Sequence, residues 1–175
     1  DASTILGGMH EALIQLLWFV PWCWAVNISL NLLGYLKQRY PALERFDRAF
    51  DGGRRFIDGN RLLGESTTWL GFLLVLLLGV GGEALFAGHH VFLIAVLTFF
   101  GHALGSFIKR RLRMPGGAYL PIIDHADYVF CVGFVFLLYG YLSVQALSLA
   151  LILTLILTPG VTLAAFRLGL RTRKL

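Results

Sequence analysis

Apolar positions in this chain run together in long blocks, without the one-in-two alternation of a half-buried strand. The blocks cover residues 12–36, 69–86, 91–108, 128–142 and 144–166. About 20 consecutive apolar residues cross the hydrocarbon core of a bilayer. In lipid only helices and closed barrels satisfy the backbone, and these runs lack the alternation of barrel strands. The pattern predicts an all-α polytopic membrane protein with five transmembrane helices, forming one domain over residues 1–175. The first run is too long and starts too far in for a cleaved signal peptide, and is expected to stay as a span.

Polar positions concentrate in two stretches between the runs. Over 41–50, Leu43, Phe46 and Phe50 share one helical face against Glu44, Arg45, Asp47 and Arg48, which predicts a short helix on the membrane surface. Asp51-Gly52-Gly53 and Asp58-Gly59-Asn60 are turn signals. Between and after them come Arg54, Arg55, Arg61 and Gly64, and then Ser66, Thr67 and Thr68 where a cap for the second span is needed. Glycines let backbone N–H groups converge on an anion, and a helix N-terminus favours phosphate. A solvated basic loop beside a capped helix accounts for the same residues.

Charge gives the runs an orientation. Hydrophobic residues make up 57% of the 175 and charged ones 14%, so each cation is conspicuous. The 15 Lys and Arg fall in three places: seven within 37–61, four within 109–113 and four within 167–174. With five spans all three lie on one side, which the positive-inside tendency assigns to the cytoplasm. The N-terminus is then outside and the C-terminus cytoplasmic, with the polar loops, the candidates for catalytic chemistry, on the cytoplasmic face of the cell membrane. The formal charge of +5 describes that face, which would attract lipid head groups and anionic ligands. No basic patch stands apart from the membrane, so no nucleic-acid partner is expected.

Cys23 and Cys131 both lie within spans and give neither a disulfide framework nor a metal spacing. Trp18, Trp22 and Trp24 suit anchoring near the outer interface, with Pro21 among them. Asn27 and Asn31, four apart, suit interhelical hydrogen bonding.

The segment 101–127, GHALGSFIKRRLRMPGGAYLPIIDHAD, carries most of the candidate chemistry. Gly101 and Gly105 have the spacing of a close helix crossing. Ser106, Lys109 and Arg110 follow on the same helix, and Arg111 and Arg113 continue the charge. After Pro115-Gly116-Gly117 come Asp124 and Asp127, whose i, i+3 spacing lets both carboxylates share a helical face. Carboxylates at a membrane boundary seldom stand without partners. The partners are either the arginines, in a structural ion-pair network, or Mg²⁺, which is held by one or two carboxylates plus substrate phosphates.

Two motifs resemble a known family. Gly101, Ser106, Lys109 and Arg110 followed by Pro121, Asp124 and Asp127 are similar to the signature of the membrane CTP-dependent phosphatidate cytidylyltransferases. The closer resemblance is to their archaeal relatives, the CDP-archaeol synthases, whose preceding element is matched by Asp58, Gly59, Arg61, Gly64, Thr68, Trp69 and Gly71. The resemblance covers about 51–127 by motif, and the five-span plan fits the archaeal branch. It implies transfer of CMP from CTP to 2,3-di-O-geranylgeranylglyceryl phosphate, giving CDP-archaeol and pyrophosphate. It further implies Mg²⁺ on Asp124 and Asp127 and catalytic roles for Lys109 and Arg110. The nucleotide and its phosphates would be bound by Asp58, Arg61, Gly64, Thr67, Thr68, Ser106 and Arg111. A homodimer is left open.

Three positions depart from the family pattern. His102 stands where many relatives carry an aspartate, Thr67 where a lysine is usual, and Leu70 where a basic residue is usual. Imidazole is softer than the ligands Mg²⁺ prefers, so His102 is a ligand, a hydrogen-bond partner or a local specialisation. Two other readings share some features. A CDP-alcohol phosphotransferase needs an Ala-Arg pair after Asp-Gly and wider-spaced aspartates. A small transporter needs ionisable residues at mid-span, where His102 is the main candidate, Glu83 being near the outer end of the second run.

Overall fold

The computed structural model describes residues 2–115, 118 and 120–167, with side chains from Gly7 onward except that of Phe46. Among these residues the chain forms six helices and no strand. They are α1 (Ala2–Arg39), α2 (Pro41–Phe46), α3 (Trp69–Leu85), α4 (Val91–Arg111), α5 (Pro121–Leu138) and α6 (Val144–Arg167). Four segments are long and apolar enough to cross a membrane: Gly7–Arg39, Val91–Arg111, Pro121–Leu138 and Val144–Arg167. The fifth apolar helix, α3, has 17 residues. The protein is therefore an all-helical chain with several membrane-length helices. Gly116, Gly117 and the basic residues of 171–174 lie outside the described residues.

Several helix boundaries differ from those the sequence pattern predicts, among them the start of α1 at Ala2 instead of residue 12. The fourth run, expected from residue 128, is a helix from Pro121. Proline at the first helical position is pre-organised for the turn, so the helix starts seven residues early and takes Asp124 and Asp127 into its first two turns. It ends at Leu138 rather than 142, because Gly140 turns the chain out at φ 73° and its N–H closes on the Leu137 carbonyl. The surface helix stops at Phe46, so Phe50 leaves the expected face. Phe50 instead stacks among Trp69, Phe72 and Phe99.

Helix α4 lies at the centre of the bundle, packed chiefly against α3 and α5, while α6 packs on α5 and α1. Lipid tails are as apolar as leucine, so close packing rather than water exclusion must hold such helices together. Small residues mark the closest approaches. A Cβ at Gly82 of α3 would lie 2.5 Å from Val91 Cγ1, and one at Gly101 of α4 would lie 2.6 Å from Tyr128 Cα on α5. Phe19, Ile94, Tyr128, Val129, Val132 and Phe136 fill the larger core cluster. Leu17, Leu77, Leu138 and Ile156 stand exposed, as lipid-facing side chains of a bundle do.

Candidate active site

The α4–α5 seam carries two polar pairs. His102, Ser106 and Lys109 are spaced four and three apart on α4 and share one face. Asp124 and Asp127 occupy the N-terminal turns of α5, where the helix dipole favours negative charge. Lys109 Nζ donates to Asp124 Oδ1, and Asp124 Oδ2 accepts the Leu120 N–H at 2.8 Å. One turn further along, His102 Nδ1 lies 3.3 Å from Asp127 Oδ1, which also accepts the Tyr128 N–H at 2.7 Å.

Glycine makes this seam possible. A Cβ at Gly105 would collide with Asp127 Oδ2, and one at Gly101 would meet the helix α5 backbone. The Gly-xxx-Gly spacing is thus a helix-crossing device, and Gly105 leaves the space that the Asp127 carboxylate fills. The His102 ring packs against Tyr128 with centroids 5.1 Å apart. His102 Nε2 is buried and has no hydrogen-bond partner among the described residues.

The segment 48–68 folds back onto the same end of α4. Phe50 N–H bonds the Thr67 carbonyl at 2.9 Å and Trp69 N–H the Arg48 carbonyl at 3.0 Å, which closes its base. Asp51 holds its interior. That buried carboxylate accepts the N–H groups of Gly53 and Leu63, both at 2.9 Å, and two nitrogens of Arg61 at 3.3 Å. Burial alone would raise its pKa, but the two N–H groups and the guanidinium outweigh it and hold the carboxyl below its ordinary 3.8. Arg61 also bonds Glu65 at 2.9 Å.

Arg111 fastens this loop to α4. Its Nη2 donates to the Arg61 carbonyl at 2.6 Å and its Nη1 lies 3.1 Å from Asp58 Oδ1. The guanidinium sits 4.7 and 4.8 Å from the Phe56 and Phe107 ring centroids, within cation–π range. Asp58 shapes the tip by accepting the side-chain and backbone N–H groups of Asn60. The Asn60 side chain leads in lowering its pKa, and slight desolvation does not offset that bond, the Asn60 backbone N–H and the Arg111 charge.

At the base of the loop, Thr67 Oγ1 donates to Ser106 Oγ at 3.3 Å, and Gly64 sits beside the same serine. Thr68 caps α3 by accepting the Gly71 N–H at 3.3 Å.

The structure therefore sorts the sequence-predicted residues into three groups. Lys109, Asp124, Asp127 and His102 meet across α4 and α5. Gly64, Thr67 and Ser106 meet where the loop touches α4. Asp58, Arg61 and Arg111 bond one another's segments and build the loop. Thr68 is a helix cap, and Arg110 donates to the Pro115 carbonyl at 3.0 Å. Sequence reasoning missed Asp51 as the centre of the loop and Tyr128 as the wall beside His102. Asp51 was visible only as the head of an Asp-Gly-Gly turn; its pairing with Arg61, ten residues on, exists only once the loop closes.

No three His, Cys, Asp or Glu side chains meet as a metal cage among the described residues. The donor chemistry suits an ion that arrives with its phosphates. Mg²⁺ is usually held by one or two carboxylates plus substrate oxygens rather than by a protein cage. Asp127, seated against Gly105 at the loop end of the seam, fits that partial role.

A family profile described as CarS-like, CDP-archaeol synthase, matches residues 86–174, which include all of α4 and the two aspartates. The CDP-archaeol synthase of Methanopyrus kandleri is 34% identical over 134 residues, covering 71% of each chain. The chain belongs to the CDP-archaeol synthase family. The likeness reaches beyond the profile's bounds. The CDP-archaeol synthase of Pyrobaculum calidifontis is 29% identical over 170 residues, covering 93% of this chain and 98% of its own. That of Thermococcus gammatolerans is 30% identical over 179 residues, covering 93% and 96%. No solved structure matches. For a CDP-archaeol synthase family member, the α4–α5 seam and loop 48–68 are the places where charge, hydroxyls and carboxylates gather.

Proposed function

We propose that this protein is a CTP-dependent nucleotidyltransferase that transfers CMP to 2,3-di-O-geranylgeranylglyceryl phosphate, forming CDP-archaeol and pyrophosphate. Membership of the CDP-archaeol synthase family supports this reading. The site observation that carries it is the pairing of Lys109 with Asp124 near the end of α4, where loop 48–68 folds back, and of His102 with Asp127 about two turns deeper along α4.

In the reaction, an oxygen of the lipid phosphate attacks the α-phosphorus of CTP, the α–β bridging P–O bond breaks, and pyrophosphate leaves. An acceptor already ionised needs little general-base help; the difficulty is bringing anions together. Lys109 and Arg110 neutralise phosphate charge, with Lys109 held ready by Asp124. Gly64, Thr67, Thr68 and Ser106 line the nucleotide side, Ser106 oriented by Thr67. Asp58, Arg61 and Arg111 keep the loop closed over α4, with cationic surface left towards phosphates. Asp127, with Asp124 beside it, would hold Mg²⁺, which would supply neutralisation of the triphosphate and of the departing pyrophosphate.

The membrane arrangement belongs to the same reading. Helix α3, at about 1.5 Å per residue, is about 25 Å long and sits at the short end of the spanning range. Counting it as a fifth span puts the N-terminus outside and the C-terminus in the cytoplasm, with loop 48–68 and the end of α4 on the cytoplasmic face of the plasma membrane. The lipid chains stay in the bilayer while the phosphate reaches the seam.

Radiolabelled CTP with Mg²⁺ and either the archaeal lipid phosphate or diacyl phosphatidate tests the reaction. Lipid-linked CMP with the archaeal acceptor is the expected outcome; its absence with both acceptors overturns the reading. Asp127→Asn should lower that transfer about 10²–10³-fold, the range for losing one preorganised charge partner. Near-full activity in the folded variant would remove Asp127 from the site.

A further inference from the structure

His102 lies in the α4–α5 seam, and the hydrogen bonding of its imidazole does not close among the described residues. Its ring has two nitrogens, and in the neutral form one carries the proton while the other is a lone pair. With the proton on Nδ1, that N–H faces Asp127 Oδ1 at 3.3 Å, and the lone pair falls on Nε2, which is buried without a partner. With the proton on Nε2, two acceptors face each other at 3.3 Å with nothing between them, and a buried donor goes unmet. Either tautomer leaves a nitrogen lone pair that no described protein group uses, and buried polar groups are rarely left so.

Lys109 is not the partner of His102, because it is engaged by Asp124 about two turns further along α4. Two neighbouring ligands of an octahedral ion with bonds of about 2.1 Å lie about 3 Å apart. The 3.3 Å between His102 Nδ1 and Asp127 Oδ1 is close to that bite. Carboxylate suits Mg²⁺, Ca²⁺ and Mn²⁺, whereas imidazole favours ions further along the first-row series. A nitrogen donor favours a first-row transition ion over Mg²⁺, and Mn²⁺ is the member of that series that also suits carboxylate and phosphate oxygens.

We propose that His102 Nδ1, in the tautomer with the proton on Nε2, is a direct ligand of the divalent ion at Asp127, and that this site prefers Mn²⁺ to Mg²⁺. The proposal rests on the reading that Asp127 holds a metal, and adds the ligand and the class of ion. The His102 ring is kept in register by Tyr128 on its flank and by Gly105, whose missing side chain lets Asp127 sit beside it.

The test is pulsed electron paramagnetic resonance on the full chain in detergent with Mn²⁺ and pyrophosphate, a ligand that contains no nitrogen. The expected spectrum of the wild type shows ¹⁴N coupling to Mn²⁺ that shifts to the ¹⁵N pattern after [¹⁵N]histidine labelling. Titrations should give Mn²⁺ binding about tenfold or more tighter than Mg²⁺. In His102→Asp, an all-oxygen set, the nitrogen coupling should vanish and that ratio fall about tenfold; even groups that merely orient a ligand are worth about 10–100-fold in affinity. The wild-type spectrum decides the matter alone if the variant does not fold. Bound Mn²⁺ with ³¹P coupling but no nitrogen coupling overturns the proposal and leaves the metal at Asp127 standing, with His102 as a hydrogen-bond partner only. If Mn²⁺ binds the wild type no better than it binds Asp127→Asn, the metal reading fails and this proposal with it.

Discussion

Asp51 shows how much one carboxylate can organise in a loop of glycines and arginines. Its side chain is fully buried yet satisfied by two N–H groups and a guanidinium. Hydrogen bonds to a charged group are worth about 1.5–3 kcal/mol. Asp51→Asn should therefore destabilise the loop by about 2 kcal/mol at pH 7. The folded pKa is depressed, so the stabilisation is full above the ordinary value of 3.8 and is lost as pH falls below it towards the folded value. Thermal unfolding of wild type and Asp51→Asn across pH 7 to 2.5 should show a gap that closes below about pH 3.8. A gap that stays constant through that window would mean the carboxylate charge plays no part.

At the scale of elements, the site depends on how α4 meets its neighbours. Gly101→Ala places a methyl against the α5 backbone, and Gly105→Ala places one in the Asp127 carboxylate. Overpacking of this kind costs about 1–3 kcal/mol. Both should lower the melting temperature in detergent, and Gly105→Ala should in addition cut CMP transfer because it moves Asp127. Gly81 on α3 has nothing near it, so Gly81→Ala should raise stability by about 0.5–1 kcal/mol, the helix propensity of alanine over glycine. Equal effects at all three glycines would undo the packing argument. The attachment of loop 48–68 to α4 is a separate matter. Arg111→Lys keeps the charge but loses the planar fork that bonds the Arg61 carbonyl while lying against two rings. Trypsin cleavage after Arg54 and Arg55 should then become several-fold faster with α4 intact; unchanged cleavage would show that Arg111 does not fasten the loop.

For the whole molecule the deciding question is whether α3 crosses the bilayer. Ile57, at the loop tip, is 95% exposed, and Ala87 lies in the exposed connection between α3 and α4. If α3 spans, these positions face opposite sides. In right-side-out vesicles an impermeant maleimide should label Ala87→Cys at once and Ile57→Cys only after the vesicles are opened. The native Cys23 and Cys131 lie within helices α1 and α5, and Cys23 is fully buried. Labelling of both introduced cysteines from the same side would remove the fifth span and the orientation argued from it.

By itself the sequence determined the helical membrane class, because runs of apolar residues have only one open-chain solution in lipid. The Thr68 cap of α3 was legible as well, whereas Pro121 and Gly140 set the ends of a helix that the apolar pattern had placed over 128–142. The candidate chemistry at Lys109, Asp124 and Asp127 was legible too, because i, i+3 carboxylates beside cations form a local pattern. Only the tertiary structure decided who meets whom. It gave Asp124 to Lys109 and Asp127 to His102, turned Arg61 and Arg111 inward to build a loop, and moved Phe50 from an expected surface face into an aromatic cluster. Such pairings depend on the distance between helices. The Gly101-xxx-Gly105 spacing marks a close crossing, but which helix and which carboxylate meet those glycines is decided only when α5 packs on α4.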